Sequence, residues 1–419
     1  MALQHKIFSL HQLNSNMKDT FAVFVNEFRS VFNDRGVVII FIFASLIYPL
    51  LYSAIYKNEI LVNVPIAAVD CSRSHRSAEL LRHIDATQEV NIVSTFATLD
   101  EAQEAYNARK VHGVIYIPAD FDKKLNTGQQ ATISAYCDMS SFLYYRAMML
   151  ASNYCVLDMS NQVQIERLNA QGITGEEASI ISNPIPYDDT ILYNGGTGFA
   201  SFLMPAVLIL IIHQTLFFGI GMLAGTSREE NRFHVLVNSK LNNGGTYRII
   251  IGKGACYFFI YLAWSFYILG FIPHIFNLPH IGNPIDLLFF LIPFLLATIF
   301  FSMTVSVFQP NRETGMILFL FFSLILLFLS GISWPRSNIP GIWQAFGWLF
   351  PATNGIQGYV KINTLGADLH HIPFEYISLW IQTGIYFLTT TWAYHWQMNK
   401  SRKKAEKKEM EQMELVPNA

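Results

Sequence analysis

Residues 199–223, FASFLMPAVLILIIHQTLFFGIGML, run for a full bilayer thickness without one Asp, Glu, Lys or Arg. About 20 apolar residues in a helix cross the roughly 30 Å of hydrocarbon in a bilayer. Working outward, residues 37–56, 255–276, 285–308, 316–334 and 374–396 are apolar stretches of similar length. The whole chain is 52% hydrophobic and only 14% charged, with 34 Phe among its 419 residues. Soluble domains carry about 25% charged residues, so this composition points to lipid as solvent. The expectation is a polytopic α-helical membrane protein with six transmembrane helices. No cleavable signal peptide is expected, because the first apolar run follows 36 mostly polar residues and is long enough to stay as an anchor.

Orientation follows from Lys and Arg near the span ends. The segment before the first span holds Lys6, Lys18, Arg29 and Arg35. The loop between the second and third holds Arg228, Arg232, Lys240, Arg248 and Lys253, and Arg312 lies between the fourth and fifth. Six more, from Lys400 to Lys408, follow the last span, whereas the short segments on the other side hold Arg336 and Lys361. Six spans with both termini cytoplasmic put every basic segment on one side.

Residues 57–198 interrupt the hydropathy pattern and read as an external (periplasmic) α/β domain. Residues 63–70 (NVPIAAVD), 90–96, 111–118 (VHGVIYIP) and 131–138 are strand-like. Helical patterns at 77–84 and 99–110 alternate with them, which is the signature of a small α/β layer, and a long helix from 141 to 169 leads back. Cys71 and Cys137 each end a strand, and the sequence leaves both a disulfide and two buried thiols open. The four cysteines show no CxxC or Cys/His spacing, so no metal site is expected.

An ionisable group inside a span is costly and therefore informative. Only His213 sits deep, as a histidine hydrogen-bonded to a neighbouring helix or as a contact on a transport pathway. A proton-driven carrier needs carboxylates in its membrane core, whereas here Asp286 and Glu375 lie at span ends, within reach of the interface. The chain has no G-x-x-x-x-G-K-[ST] phosphate loop either; Gly252-Lys253-Gly254 lacks both the leading Gly and the Ser/Thr. No catalytic residue and no bound cofactor are expected, and energy must come from a partner. Two segments offer a partner a place to push. Phe21, Phe24, Phe28 and Phe32 recur at helical spacing before the first span, as in an amphipathic helix lying along the interface. Residues 226–254 form a loop whose charged start (Arg228, Glu229, Glu230) precedes apolar residues. Further on, residues 334–360 combine Trp, Pro and Gly and read as broken interfacial or re-entrant helices, with Trp334, Trp343 and Trp348 at headgroup depth.

In this order of parts the chain resembles the ABC-2 type permease family, in its exporter branch with a large external domain between the first two spans. The strand and turn Gly113-Val114-Ile115-Tyr116-Ile117-Pro118-Ala119-Asp120-Phe121 is similar to that branch's insert motif. Arg228-Glu229-Glu230, followed by Gly252-Lys253, resembles the family's cytoplasmic loop. Trp334-Pro335, Ile339-Pro340, Leu349-Phe350-Pro351 and Ile356-Gln357-Gly358 resemble its hallmark before the last span. One departure is that Arg232-Phe233 stands where the family often has Gly-Thr. The resemblance implies a permease subunit of an ABC exporter in a bacterial inner membrane, moving substrate from the cytoplasm or inner leaflet. It also implies an ABC ATPase subunit that uses ATP, touched by Arg228, Glu229, Glu230, Arg232 and Phe233, and a second permease, either a copy or a paralogue. A periplasmic adaptor and an outer-membrane channel complete the route in some relatives; nucleic acid has no place in it.

Two rival functions remain at the level of sequence. A membrane-anchored receptor using the external α/β domain as sensor needs an output domain, and residues 397–419 give only a tail. A membrane-embedded enzyme needs paired carboxylates, a His cluster or a nucleophile, which the spans lack.

Overall fold

The computed structural model describes residues 2–186, 190–195, 198–231 and 245–414. The chain divides into two compact units, Met1–Glu59 with Leu192–Ala419, and Ile60–Ile191. Helix α1 spans Ala2–Asn33 and α2 spans Arg35–Ile55. Asp34 separates them: its carboxylate accepts from the amides of Gly36 (3.0 Å) and Val37 (3.2 Å), capping α2. Such a cap satisfies amides that the first helical turn cannot pair internally. Within α2 the turn Ile39–Ala44 is π-helical.

The inserted unit is built on strands β1 (Val64–Asp70), β2 (Val90–Phe96), β3 (Gly113–Ile117) and β4 (Ser134–Cys137). Helices α3 (His75–Asp85) and α4 (Leu99–Asn107) form the crossovers between the first three. Short α5 (Phe121–Asn126), long α6 (Phe142–Ala170) and α7 (Glu176–Ser182) complete it. The strand order is β2-β1-β3-β4, parallel except for the last pair. Alternation sends Ile66, Ile115 and Ile117 to one face, against Leu80, Ile84 and Met148. Ala67, Val69 and Val114 face the other way, against Ala102 and Ala105 of α4. The two-sided burial explains why β1 and β3 are nearly continuous apolar runs. Ser74 and Ser77 form a reciprocal cap at the start of α3.

Cys71 and Cys137 are free thiols. Cys71 follows β1 and donates its amide to Ile117 at 3.0 Å, whereas Cys137 pairs with Gly113 at the opposite end of β3. The two thus lie on either side of β3 and about four residues apart along it, roughly 13 Å at strand rise. A disulfide needs Cα atoms within about 7 Å, so register excludes the bridge that strand ends alone left open.

After the insert come α8 (Phe199–Glu229), α9 (Thr246–Ile275) and α10 (Pro284–Phe308). Glu59 caps α8 from across the insert: its carboxylate accepts from Ser201 Oγ (2.8 Å) and the Ser201 amide (3.2 Å), and its carbonyl accepts from Phe199 N (2.8 Å). Then follow α11 (Arg312–Leu329), α12 (Gly341–Trp348), α13 (Pro351–Leu365) and the 42-residue α14 (Pro373–Glu414). Among the described residues four helices are long and apolar enough to cross a membrane: α2, α8, α9 and α10. The chain is therefore a polytopic α-helical membrane protein with a large non-membrane insertion between two long apolar helices. In α14 the residues Gln382, Thr383, Thr389, Thr390 and Thr391 dilute the hydropathy. Helix α11 stops at Leu329, short of the expected 334, because Gly331 turns the chain at φ +86° and Pro335 follows.

The expected broken stretch is two helices, α12 and α13, and their ends are satisfied by protein. Gln382 donates to the Trp348 carbonyl and Tyr386 to that of Leu349, where α12 ends. Gln344 serves the carbonyls of Arg336 (2.9 Å) and Ile339 (2.7 Å), and Gln357 that of Ser330 (2.8 Å). Helix α13 is largely buried, packed against α8, α10 and α14. Non-helical backbone needs such protein partners wherever water cannot reach it.

Candidate functional site: a polar cleft at one end of the bundle

A cleft of about 820 Å³ opens where α1 meets α2, where α8 ends, and beside α9 and the α10–α11 turn. Its walls include Glu27, Asp34, Arg35, Glu230, Lys253 and Arg312, an even mixture of charge. Two ion pairs organise it.

The first joins α1 to α9. Lys253 Nζ lies 2.7 Å from Glu27 Oε2, with 8% and 7% of the two side chains exposed. Tyr257, one turn along α9, donates its hydroxyl to the other Glu27 oxygen. The helices approach this closely because residue 252 is glycine: a Cβ there would sit 2.7 Å from the Thr20 carbonyl oxygen and 2.9 Å from Val23 Cβ. Gly252-Lys253 is thus a packing site with a buried cation, which explains a phosphate-loop fragment that follows no strand. Near the start of α9, Arg248 adds a contact to Asp19 at 3.3 Å.

The second pair joins the α10–α11 turn to the α1–α2 junction. Arg312 holds Asp34 with two nitrogens, at 2.5 and 3.0 Å. The same guanidinium reaches Thr226 Oγ1 at 3.3 Å, and the Arg312 amide donates to Glu229 Oε1 at 2.9 Å. Asp34 therefore caps α2 and binds Arg312 with one carboxylate. On the far side of the α8 terminus, Ser401 of α14 donates to Asn231 Oδ1 at 3.0 Å. The end of α8 is consequently tied to α2, α11 and α14.

The residues singled out from sequence fall unevenly. Arg228 and Glu229 end α8 and Glu230 follows, and of the three Glu230 lines the cleft; Arg228 keeps Nε and Nη2 buried with no hydrogen-bond partner among the described residues. Arg232 and Phe233 lie outside the described residues. Phe21, Phe28 and Phe32 are exposed and form a ladder with Phe24, which also meets Phe259 of α9. The side of α1 that faces the bundle is instead Glu27 and Val31, both buried. His213 is buried far from the cleft, packed 6.4 Å from Phe217 and 6.1 Å from Phe301 between ring centroids. Both its ring nitrogens lack a hydrogen-bond partner among the described residues, so the expected bond to a neighbouring helix is not made there. Glu27, Lys253, Asp34 and Arg312 were not recognised as a site from sequence. The available signal was a lone Lys between two glycines at the edge of an apolar run, and an acid with Val23 and Val31 four residues to either side. Among the described residues no three His, Cys, Asp or Glu gather to hold a metal.

Long apolar helices, an inserted α/β unit and a braced polar cleft at one end define a membrane-embedded transport subunit. Residues 35–392 match the family described as "ABC-2 family transporter protein", and the chain belongs to that family. Its relatives include "Probable multidrug ABC transporter permease YbhR" of Escherichia coli strain K12, 21% identical over 325 residues, covering 78% of this chain and 84% of the relative. The protein of that name from Escherichia coli O157:H7 matches to the same extent. The chain is the transmembrane permease component of an ABC exporter system and is not itself an enzyme.

Proposed function

We propose that the polar cleft is where a separate ABC ATPase drives this permease. Six spans, with α11 and α14 as the fifth and sixth, place both termini, the cleft and the 226–254 loop in the cytoplasm, and residues 57–198 outside, in the periplasm of a bacterium. The ATPase engages Arg228, Glu230 and the following residues Arg232 and Phe233, while Glu229, held by the Arg312 amide, positions the end of α8. Movement of that end passes through Arg312 to Asp34 and α2, and through Asn231 to α14. The Glu27–Lys253 pair makes α1 and α9 follow as one body, with the Phe21–Phe32 ladder set in lipid beside them. A second permease, a copy or a paralogue, faces this one, and the ATPase uses the ATP. In a cell with two membranes, an adaptor and an outer-membrane channel carry the cargo onward. The relatives' name speaks of multidrug transport, and spans whose charged residues stand near their ends suit apolar cargo drawn from the cytoplasm or inner leaflet.

The single observation that carries this proposal is the convergence on the α8 terminus of contacts from α2, α11 and α14. Replacing Glu229 and Glu230 with Lys tests it. Like charges at a docking site cost several kcal/mol, about 2–5 for a buried contact. Export and partner-stimulated ATP turnover should fall together, while the purified protein keeps its size profile. Unchanged export would move the docking surface to α1.

A further inference from the structure

Halfway along the bundle, far from the cleft, polar groups lie buried with no hydrogen-bond partner among the described residues. Helix α13 runs antiparallel to α10. Its outer end meets the start of α10, where Ile281 donates to the Asn363 carbonyl at 2.9 Å. Gly358 lies against Phe290 and Gly355 against Phe294, and the Phe350 ring is 5.6 Å from Phe301. Phe294 and Phe301 are roughly 15 and 26 Å along α10 from Pro284 at 1.5 Å per residue. The first turn of α13 therefore opens near the middle of the bundle. A helix start carries unpaired amides and the positive end of the helix dipole, and here no side chain caps it.

Three polar side chains from three helices stand at this level, beside Thr353, which is also buried with Oγ1 unpaired. Asn354 is fully buried, with neither Nδ2 nor Oδ1 paired, and Thr298 is fully buried with Oγ1 unpaired. Asn354 lies one turn before Gly358 on the side of α13 that meets α10, and Thr298 lies one turn beyond Phe294 on the side of α10 that meets α13. His213, on α8, reaches the same place through Phe301 and offers two unpaired ring nitrogens. Buried side-chain polar groups are nearly always paired, and exceptions gathered where α8 and α10 meet the start of α13 ask for an explanation. No Asp, Glu, Lys or Arg occurs in 199–223, 287–308 or 351–360. The set is one of neutral donors beside a positive helix end, walled by Phe301 and Phe350. Such a site repels a cation and receives an oxygen that accepts hydrogen bonds.

We propose that the start of α13, with Asn354, Thr298 and His213, is an intramembrane subsite for the acceptor oxygen, carbonyl or carboxylate, of an otherwise apolar and aromatic cargo molecule. This deepens the export proposal and rests on it. In the packed arrangement the groups are closed off, so the oxygen is received when α13 parts from α10 and is released as they close. Broken helices whose starts face an acceptor group at the membrane centre serve this purpose in other transporters.

The test uses the full chain assembled with its ATPase in proteoliposomes, with benzophenone as probe, since its ketone oxygen is the acceptor and its carbonyl carbon forms the photocrosslink. Labelling of peptides from α10 and α13 should saturate. Benzanilide should compete with it at least about tenfold better than diphenylmethane, which has the rings without the oxygen. Thr298→Val, close in shape, and Asn354→Leu should each abolish the saturable labelling, and labelling of the exposed Phe321 helix face should not change. Labelling that never saturates, equal competition by the two compounds, or saturable labelling intact in Thr298→Val overturns the subsite. ATP-driven export of the same preparation is read separately: export without saturable labelling removes the subsite and leaves the permease, whereas saturable labelling without export counts against the coupling.

Discussion

Glu27 and Lys253 show how much one residue's environment decides. On an exposed helix face such a pair contributes well under 1 kcal/mol. Here both side chains are more than nine-tenths buried, and the Tyr257 hydroxyl takes the second carboxylate oxygen. Removing one partner leaves the other charge buried and uncompensated, at a cost of about 3–5 kcal/mol, whereas removing both is often close to neutral. Glu27→Gln and Lys253→Met should each lower the unfolding temperature of the purified permease markedly. The double variant should recover most of the loss. Additive losses in the double variant would show that the two side chains act independently.

At the scale of elements, α1 is held to α9 by shape before charge. Gly252 admits the α1 backbone, and only then can Lys253 reach Glu27. Gly252→Val keeps every charge and places methyl groups where Thr20 and Val23 already stand. Overpacking of this kind costs about 1–3 kcal/mol. The expected outcome is α1 lifted from the bundle, read as faster amide exchange over residues 20–31 with exchange in α10 unchanged. Equal protection of α1 in both proteins would mean that the glycine is not what sets the helix spacing. The α12–α13 pair follows the same logic from the other direction: its backbone breaks persist because Gln344, Gln357, Gln382 and Tyr386 occupy the carbonyls that water would otherwise need to reach.

For the molecule as a whole, the proposed six spans have sixteen basic residues near their ends on one side against two in the short segments on the other, which predicts its sidedness. In intact cells, a membrane-impermeant maleimide should label a cysteine placed at residue 125 strongly and one at residue 410 not at all. With Cys71, a partly exposed native thiol of the insert, replaced by Ser, the background should be low, because burial raises the Cys137 and Cys155 thiols above their ordinary range. Labelling at 410 with none at 125 would invert the topology. That sidedness is the one the export proposal requires, with the cleft open to an ATPase in the cytoplasm.

The sequence by itself determined where the chain is lipid-soluble, where it is not, and the alternation of strand and helix in the insert. Those are one-dimensional signals: charge-free runs of span length, period-2 and period-3.6 alternation, and turn residues such as Gly331 and Pro335. Positions 228 to 230 were legible as a charged run, but the sequence reading began a loop at 226 where α8 continues to Glu229. The tertiary structure alone decided the rest. Glu27 meets Lys253 across more than two hundred residues, and Asp34 meets Arg312 across nearly three hundred. No local pattern marks an acid as the one that will be buried. Strand register set Cys71 and Cys137 on opposite sides of β3, and antiparallel packing of α13 on α10 gathered Asn354, Thr298 and His213. In each case the side chain's chemistry is written in the sequence, but its partner, its burial and hence its energy depend on which helices and strands come to lie together.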